Sequence, residues 1–307
     1  AAMLAYSLMK LMSRIACVQP TCFNDALAYA LGQIGWLATP KWRRYMAKEN
    51  VKECLGVSET EAERIAKESV TRFGRMLIEV LRYPLINQAN FRNLVHFEGL
   101  EHLEEAYAEG RGVIMCTAHY GNWEMLGASM ALLGYPILSI TRKQNDGDAD
   151  RFINEYRQMV GQHVTYNHGK SSMLSIGRYL KDKHLVGILY DQDSAHTGEH
   201  LELFGKPARV PDGAAQLARV FKAPIVPLFM HNQPDGTLTA VIHPCFHADP
   251  QLSREENSHV IMEKLIRIAE EEIRRDPAMW FWVHDRWKDG KRRYRDRKHF
   301  STPMTGN

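Results

Sequence analysis

Between residues 112 and 242 the chain alternates short apolar runs with amphipathic stretches, and this pattern constrains the fold more than any other feature. Gly112–Ala118, Pro136–Thr141, Leu185–Tyr190 and Pro224–Met230 are continuous apolar runs of strand length. Helical periodicity fills the stretches near 123–133, 148–160, 171–182 and 213–222, and a long charged helix spans roughly 254–275. Strands that alternate with helices and lack a polar face imply βαβ units and a parallel sheet covered on both sides. Thr237–Ile242 follows a Pro234-Asp235-Gly236 turn and is expected to pair antiparallel with the strand before it. The expected fold class is therefore α/β, a mixed and mainly parallel sheet flanked by helices.

The first 57 residues read differently. Residues 1–40 carry only Lys10, Arg14 and Asp25 as charges, yet the longest uncharged run, Ala26 to Pro40, is broken by Gly32 and Gly35. It falls short of the roughly 20 apolar residues of a spanning helix. No signal-peptide pattern is evident, and because the chain starts at Ala1 an upstream anchor removed from it stays open. A basic cluster follows, Lys41, Arg43, Arg44 and Lys48, placed where a membrane-resting segment would meet anionic headgroups. The same residues equally suit two core helices followed by a solvated turn. Ser58-Glu59-Thr60-Glu61 has the spacing of a capping box, opening a helix with apolar positions at Ala62, Ile65, Ala66, Phe73, Leu77, Ile78 and Leu81 that stops before Pro84. The expected organisation is a helical, membrane-associating segment over 1–57 and one α/β domain over 58–307.

Composition excludes several classes. Hydrophobic residues at 45% and charged residues at 24% fit an ordinary globular chain rather than a disordered one. The net charge of +3 gives no reason to expect nucleic acid. Five scattered cysteines, at 17, 22, 54, 116 and 245, form no metal-ligand spacing and suit a reducing, cytosolic-side setting.

In an open α/β sheet, ligands gather beyond the carboxyl ends of the strands. Four apolar runs end on polar residues: His119 after Ala118, Arg142 after Thr141, Asp191 and Asp193 after Tyr190, and His231 after Met230. His119 and Glu124 lie five positions apart across a strand-to-helix turn in which Gly121 permits the bend and Asn122 serves as N-cap. A carboxylate folded back from the first helical turn would fix the imidazole tautomer and raise its basicity, as a base that deprotonates an alcohol requires. Taken as a bare spacing, the pair more often describes a helix-capping Glu beside a buried His satisfied by backbone. Its strand-end setting favours chemistry.

Several ordered motifs now coincide: Thr117-Ala118-His119-Tyr120-Gly121-Asn122-Trp123-Glu124, Asp191-Gln192-Asp193, Phe204-Gly205-Lys206-Pro207-Ala208, Pro224-Ile225-Val226-Pro227 and the Trp280–Lys288 segment. Over nearly its whole length the chain resembles the bacterial lipid A late acyltransferases, relatives of the mycobacterial phosphatidylinositol mannoside acyltransferases, in the glycerolipid acyltransferase-like superfamily. The resemblance implies transfer of a fatty acyl group from acyl carrier protein thioester, or acyl-CoA, to a hydroxyl of a phosphorylated glycolipid, the lipid A precursor. It implies the cytoplasmic face of the bacterial inner membrane, with no cofactor and no metal. His119 would be the general base and Glu124 its orienting partner.

A tetrahedral oxyanion needs a positive pocket, for which Arg142 is the candidate; pairing with the carboxylates of 191–193 is its equal alternative. Asp191 and Asp193 can hold Arg142, orient substrate hydroxyls or cap the next loop. Lys206 and Arg209, in a loop expected to open the helix at Asp212, suit a substrate phosphate or plain surface charge. The basic run Arg286, Lys288, Lys291, Arg292, Arg293, Arg295, Arg297 and Lys298 suits a solvated tail that steers acidic partners. Trp280, Phe281, Trp282 and Trp287 suit an acyl channel, a lipid interface or core packing. Three competing readings remain: the same chemistry on glycerolipid or phosphatidylinositol mannoside acceptors, a metal-dependent hydrolase using His119, Glu124, Asp191, Asp193 and His231, and a non-enzymatic lipid-binding protein built on an acyltransferase fold.

Overall fold

The computed structural model describes residues 2–167, 170–193 and 198–300. Three helices open the chain, α1 (Ala2–Val18), α2 (Thr21–Ala38) and α3 (Lys41–Leu55), followed by the long α4 (Glu59–Leu81). After a short strand β1 (Val95–Glu98) and α5 (Leu100–Ala108), strands and helices alternate: β2 (Val113–Thr117), α6 (Trp123–Leu132), β3 (Ile137–Thr141), α7 (Gly147–Met159), β4 (Gln162–Tyr166), α8 (Lys170–Lys181) and β5 (Leu185–Leu189). A hairpin of β6 (Glu199–Leu203) and β7 (Lys206–Val210) precedes α9 (Gly213–Phe221), β8 (Ile225–Asn232), β9 (Leu238–Ile242), α10 (Arg254–Arg275) and α11 (Gly290–Phe300).

Seven strands form one sheet in the order β1-β9-β8-β2-β5-β3-β4. The five from β8 to β4 are mutually parallel, and β9 turns back antiparallel on β8 as the Pro-Asp-Gly turn led one to expect. β2 lies in the middle and is buried along its whole length. Its alternate side chains feed two cores: Ile114 and Cys116 pack with Ile176, Leu217 and Leu265 of α8, α9 and α10, while Val113 and Met115 pack with Leu126, Met130 and Tyr156 of α6 and α7. The α/β class, mixed and mainly parallel with helices on both faces, is as the sequence indicated.

Several local expectations are corrected. β1 and β4 are short edge strands with no long apolar run to announce them. Lys206 and Arg209 stand on β7, paired with Leu203 and His200 of β6, and do not form a loop; Phe204 and Gly205 take the positive φ values of +53° and +71° that a tight hairpin turn requires. At Ser58 only half of the capping box forms. Its hydroxyl accepts from the Glu61 N–H at 3.2 Å, but the Glu61 carboxylate turns to Arg64 instead. A complete box caps α10, between Ser253 and Glu256.

The opening helices rest on the body. Ser13 donates to the Leu81 carbonyl at 2.6 Å and accepts from the Tyr156 hydroxyl at 2.6 Å, tying α1 to α4 and α7. On their other side they leave Leu8, Leu11, Ile15, Val18, Phe23, Ile34 and Leu37 exposed. Among the described residues no helix is long and apolar enough to cross a membrane.

Candidate active site

β2 and β5 are neighbours in register, Thr117 opposite Leu189, so the residues two positions beyond each strand end face each other. These are His119 and Asp191. His119 Nδ1 lies 2.7 Å from Asp191 Oδ1, and the His119 backbone N–H donates to Oδ2 at 3.0 Å. The Trp280 indole N–H donates to the same Oδ2 at 2.8 Å. Burial works to raise the pKa of Asp191, but the His119 charge and these donors outweigh it and hold the carboxyl well below the usual range. An ionised Asp191 fixes the proton on Nδ1 and makes Nε2 the accepting nitrogen of the ring. The Gln192 amide nitrogen sits 3.0 Å from that Nε2.

The turn after His119 depends on Gly121, whose φ is +57° and whose missing Cβ would lie 1.7 Å from the Met230 carbonyl oxygen. Returning from α10, the segment around Trp280 forms a bridge with Tyr120, with Gly121 N–H donating to the Met279 carbonyl and Phe281 N–H to that of His119. That bridge brings the Trp280 indole to Asp191.

Glu124 does not fold back to His119. Asn122 caps α6 by accepting from Met125 N–H at 2.8 Å, and Trp123 then sets its ring edge-on to His119, centroids 5.0 Å apart. The next helical position points about 100° away. Glu124 accordingly meets Arg157 of α7 in a buried two-pronged pair at 2.6 and 2.9 Å. Burial opposes the Arg157 charge, yet the Glu124 carboxylate more than offsets it and raises the pKa.

The other expected residues scatter. β5 lies between β2 and β3, so Arg142, exposed at the end of β3, stands two strands from His119. No ion pair among the described residues joins it to Asp191 or Asp193, and it is not in the wall around His119. Asp193 is half-buried and acts through space on Arg286. Lys206 donates to Asn50 at 3.0 Å and Glu53 at 2.9 Å and covers the Trp287 ring, which ties β7 to α3. The Arg209 carbonyl accepts from Arg286. His231, within β8 behind Tyr120, pairs with Glu272 at 2.6 Å, and Glu272 also holds His243 at 2.9 Å. The ligands of the hydrolase reading therefore do not gather, and among the described residues no three His, Cys, Asp or Glu side chains are grouped to hold a metal ion.

A cavity of about 140 Å³ opens on His119, Asp191 and Gln192. Its wall is aromatic: Phe73, Trp123, Trp280, Phe281, Trp282 and Trp287, with His284 and Arg286 completing it. Trp280 and Trp282 are buried, whereas Phe281 and Trp287 are partly open. A base held by a carboxylate beside an apolar chamber can take a proton from a hydroxyl while an alkyl chain is kept from water. Sequence reasoning missed Arg157 and Arg286, and read Asp191 in other roles. Arg157 gave no separate signal, but Arg286 stands between Trp282 and Trp287, an apolar setting that the basic run behind it disguised. Of that run, the side chains of Arg297 and Lys298 lie outside the described residues.

The chain is similar to known acyltransferases. The family model described as bacterial lipid A biosynthesis acyltransferase matches residues 10–289. A phosphatidylinositol mannoside acyltransferase of Mycobacterium tuberculosis is 27% identical over 223 residues, covering 65% of this chain and 70% of that one. The lipid A biosynthesis palmitoleoyltransferase of Escherichia coli is 26% identical over 262 residues, covering 83% of each. A lipid A biosynthesis acyltransferase of Haemophilus influenzae is 24% identical over 272 residues, covering 86% and 81%. With the match running through every element of the site, the chain is an acyltransferase and belongs to the bacterial lipid A biosynthesis acyltransferase family.

Proposed function

We propose that this enzyme moves a fatty acyl group from an acyl carrier protein thioester, or from acyl-CoA, to a hydroxyl of a lipid A precursor, with His119 as general base. The observation that carries the reading is the His119–Asp191 pair at the mouth of an aromatic chamber. Asp191 keeps the imidazole in the tautomer whose Nε2 accepts the acceptor's proton, help worth about 10²–10⁴ in rate. The chamber shelters the acyl chain and lowers the local dielectric around the reacting carbonyl. Glu124 supports the base at one remove, by fixing α6 against α7 through Arg157.

The reading places the enzyme at the cytoplasmic face of the inner membrane, with residues 1–57 as its membrane-facing segment and 58–307 as its catalytic domain. It is supported by the exposed apolar side chains of α1 and α2 next to the basic cluster. Lys41 is exposed and Arg44 partly so, while Arg43 is committed to the Val283 carbonyl at 2.9 Å and Lys48 to Glu59.

The experiment is incubation of the enzyme with radiolabelled acyl carrier protein thioester and an acceptor panel: lipid A precursor, lysophosphatidate and phosphatidylinositol mannoside. Label in lipid A precursor, abolished by His119→Ala, is the expected result. The mycobacterial relative motivates the phosphatidylinositol mannoside arm, and label appearing there alone would replace the acceptor while keeping the chemistry.

A further inference from the structure

Arg286 is 1% exposed, the most enclosed cation of the described chain, and it belongs to the wall of the cavity that holds His119. Its Nη1 donates to the Arg209 carbonyl at 3.1 Å; its Nε and Nη2 are buried and have no hydrogen-bond partner among the described residues. Among the described residues no carboxylate reaches ion-pair distance of it. Asp191, the nearest in chemistry, has both oxygens engaged by His119 and Trp280. Burial pulls the guanidinium down from its usual range, opposed only through space by Asp191 and Asp193.

A buried charge is costly unless an opposite charge and hydrogen bonds compensate it. Here the described residues provide no hydrogen bond to two of the three guanidinium nitrogens and no carboxylate in contact with them. What the reaction brings to this chamber is an anion. When a hydroxyl attacks a thioester, the carbonyl oxygen becomes a tetrahedral oxyanion, and charged donors fixed in advance in an apolar wall stabilise it without reorganising.

We propose that Arg286 is the oxyanion-binding residue of this enzyme, its Nε–H and Nη2–H receiving the thioester carbonyl oxygen as negative charge develops on it. This rests on the acyl-transfer reading above. In the step, the acceptor O–H proton passes to His119 Nε2 while its oxygen bonds to the carbonyl carbon and the C=O π pair moves onto the oxygen held by Arg286. The C=O then re-forms, the C–S bond breaks, and the departing sulfur takes the proton back from His119 and leaves as thiol. Arg286 thus has the task first assigned to Arg142.

The test measures steady-state kinetics of the full chain with dodecanoyl acyl carrier protein and lipid A precursor, for wild type, R286M and R286K. We expect R286M to lower kcat by about 10²–10³ with the KM for thioester within about threefold, the cost of losing an oxyanion donor, and R286K to fall between. A folded R286M with wild-type kcat, or one impaired through KM alone, overturns the assignment. Should R286M fail to fold, wild type enriched in ¹⁵N-arginine settles it. Adding a dodecyl trifluoromethyl ketone together with lipid A precursor, whose hydroxyl adds to the ketone carbon while His119 takes the proton and the ketone oxygen becomes a tetrahedral oxyanion, is expected to shift the Nε–H resonance that R286K lacks, and no shift overturns the assignment. Wild type that transfers acyl groups while R286M matches it sinks Arg286 alone, whereas wild type that transfers none sinks the acyl-transfer reading and this inference with it.

Discussion

Glu124 and Arg157 bridge α6 and α7 as a two-pronged ion pair, with side chains about nine-tenths buried on both sides. The pair stands one residue from the ring that flanks His119, so it links the stability of the fold to the placement of that imidazole. Removing one member of such a pair leaves an uncompensated buried charge, which costs about 3–5 kcal/mol, whereas replacing both with apolar residues of similar volume is close to neutral. Glu124→Leu is expected to lower the unfolding free energy by about that amount in urea titration, and Glu124→Leu with Arg157→Met is expected to recover most of it. Additive losses in the double variant would show that the pair is not the unit described.

Asp191→Asn tests the base directly. The amide keeps the shape but not the charge, and it no longer selects the Nδ1–H tautomer. A fall in kcat of about 10²–10⁴ is expected, with the melting temperature changed by only about a few degrees. Equal kcat in the variant would remove Asp191 from the proposed mechanism.

Gly121→Ala probes the turn. A Cβ at 1.7 Å from the Met230 carbonyl and a φ of +57° oblige the backbone to move, at a cost of about 2 kcal/mol or more. Thermal unfolding reports the loss. Because the same turn aims His119, activity of the folded fraction is expected to fall as well.

Acid should weaken the fold in two stages. Burial, opposed by Asp191, pulls the His284 pKa down from 6.5 to about 4. The unfolded chain therefore binds this proton first, so stability is complete above pH 6.5 and declines as pH falls from 6.5 to 4, by an amount on the order of 2 kcal/mol after allowance for partial exposure. For Glu272 burial pushes upward, but hydrogen bonds from His231 and His243 prevail and set it at about 2, against 4.5 unfolded. Its contribution is present above pH 4.5 and is lost between 4.5 and 2. Melting temperature against pH should show both stages, and His284→Gln should flatten the first while leaving the second.

The membrane-facing reading predicts that Ile34→Asp with Leu37→Asp, two side chains 61% and 71% exposed on α2, weakens sedimentation with anionic phospholipid vesicles by at least about tenfold. Unchanged partitioning would move the contact surface elsewhere.

Much of this was legible in the chain. The apolar runs at 112–118, 136–141, 185–190 and 224–230 marked the buried strands because parallel strands covered on both faces cannot be polar on either. His119 was found because it ends one of them. Its partner was misread because helical register, set by the Asn122 cap and the packing of Trp123, decides where Glu124 points, and a five-residue spacing is blind to it. Asp191 was named but not paired with His119, since their facing each other depends on β5 lying beside β2, and strand order is a property of the whole sheet. The same order removed Arg142. Arg286 looked like the start of a solvated basic tail, because charge type is visible in a sequence and enclosure by Trp280, Trp282 and Trp287 is not.

The bridge between Tyr120 and Trp280 has a consequence for how the enzyme comes into being on the ribosome. A nascent chain that has delivered its strands as far as Ile242 contains both His119 and Asp191, yet it lacks the indole that satisfies Asp191, the cation at 286 and most of the aromatic wall. Those arrive only with residues 280–287. The chamber is accordingly complete only once residues 280–287 are in place, and a product that stops before residue 287 would carry the sheet without a finished chamber.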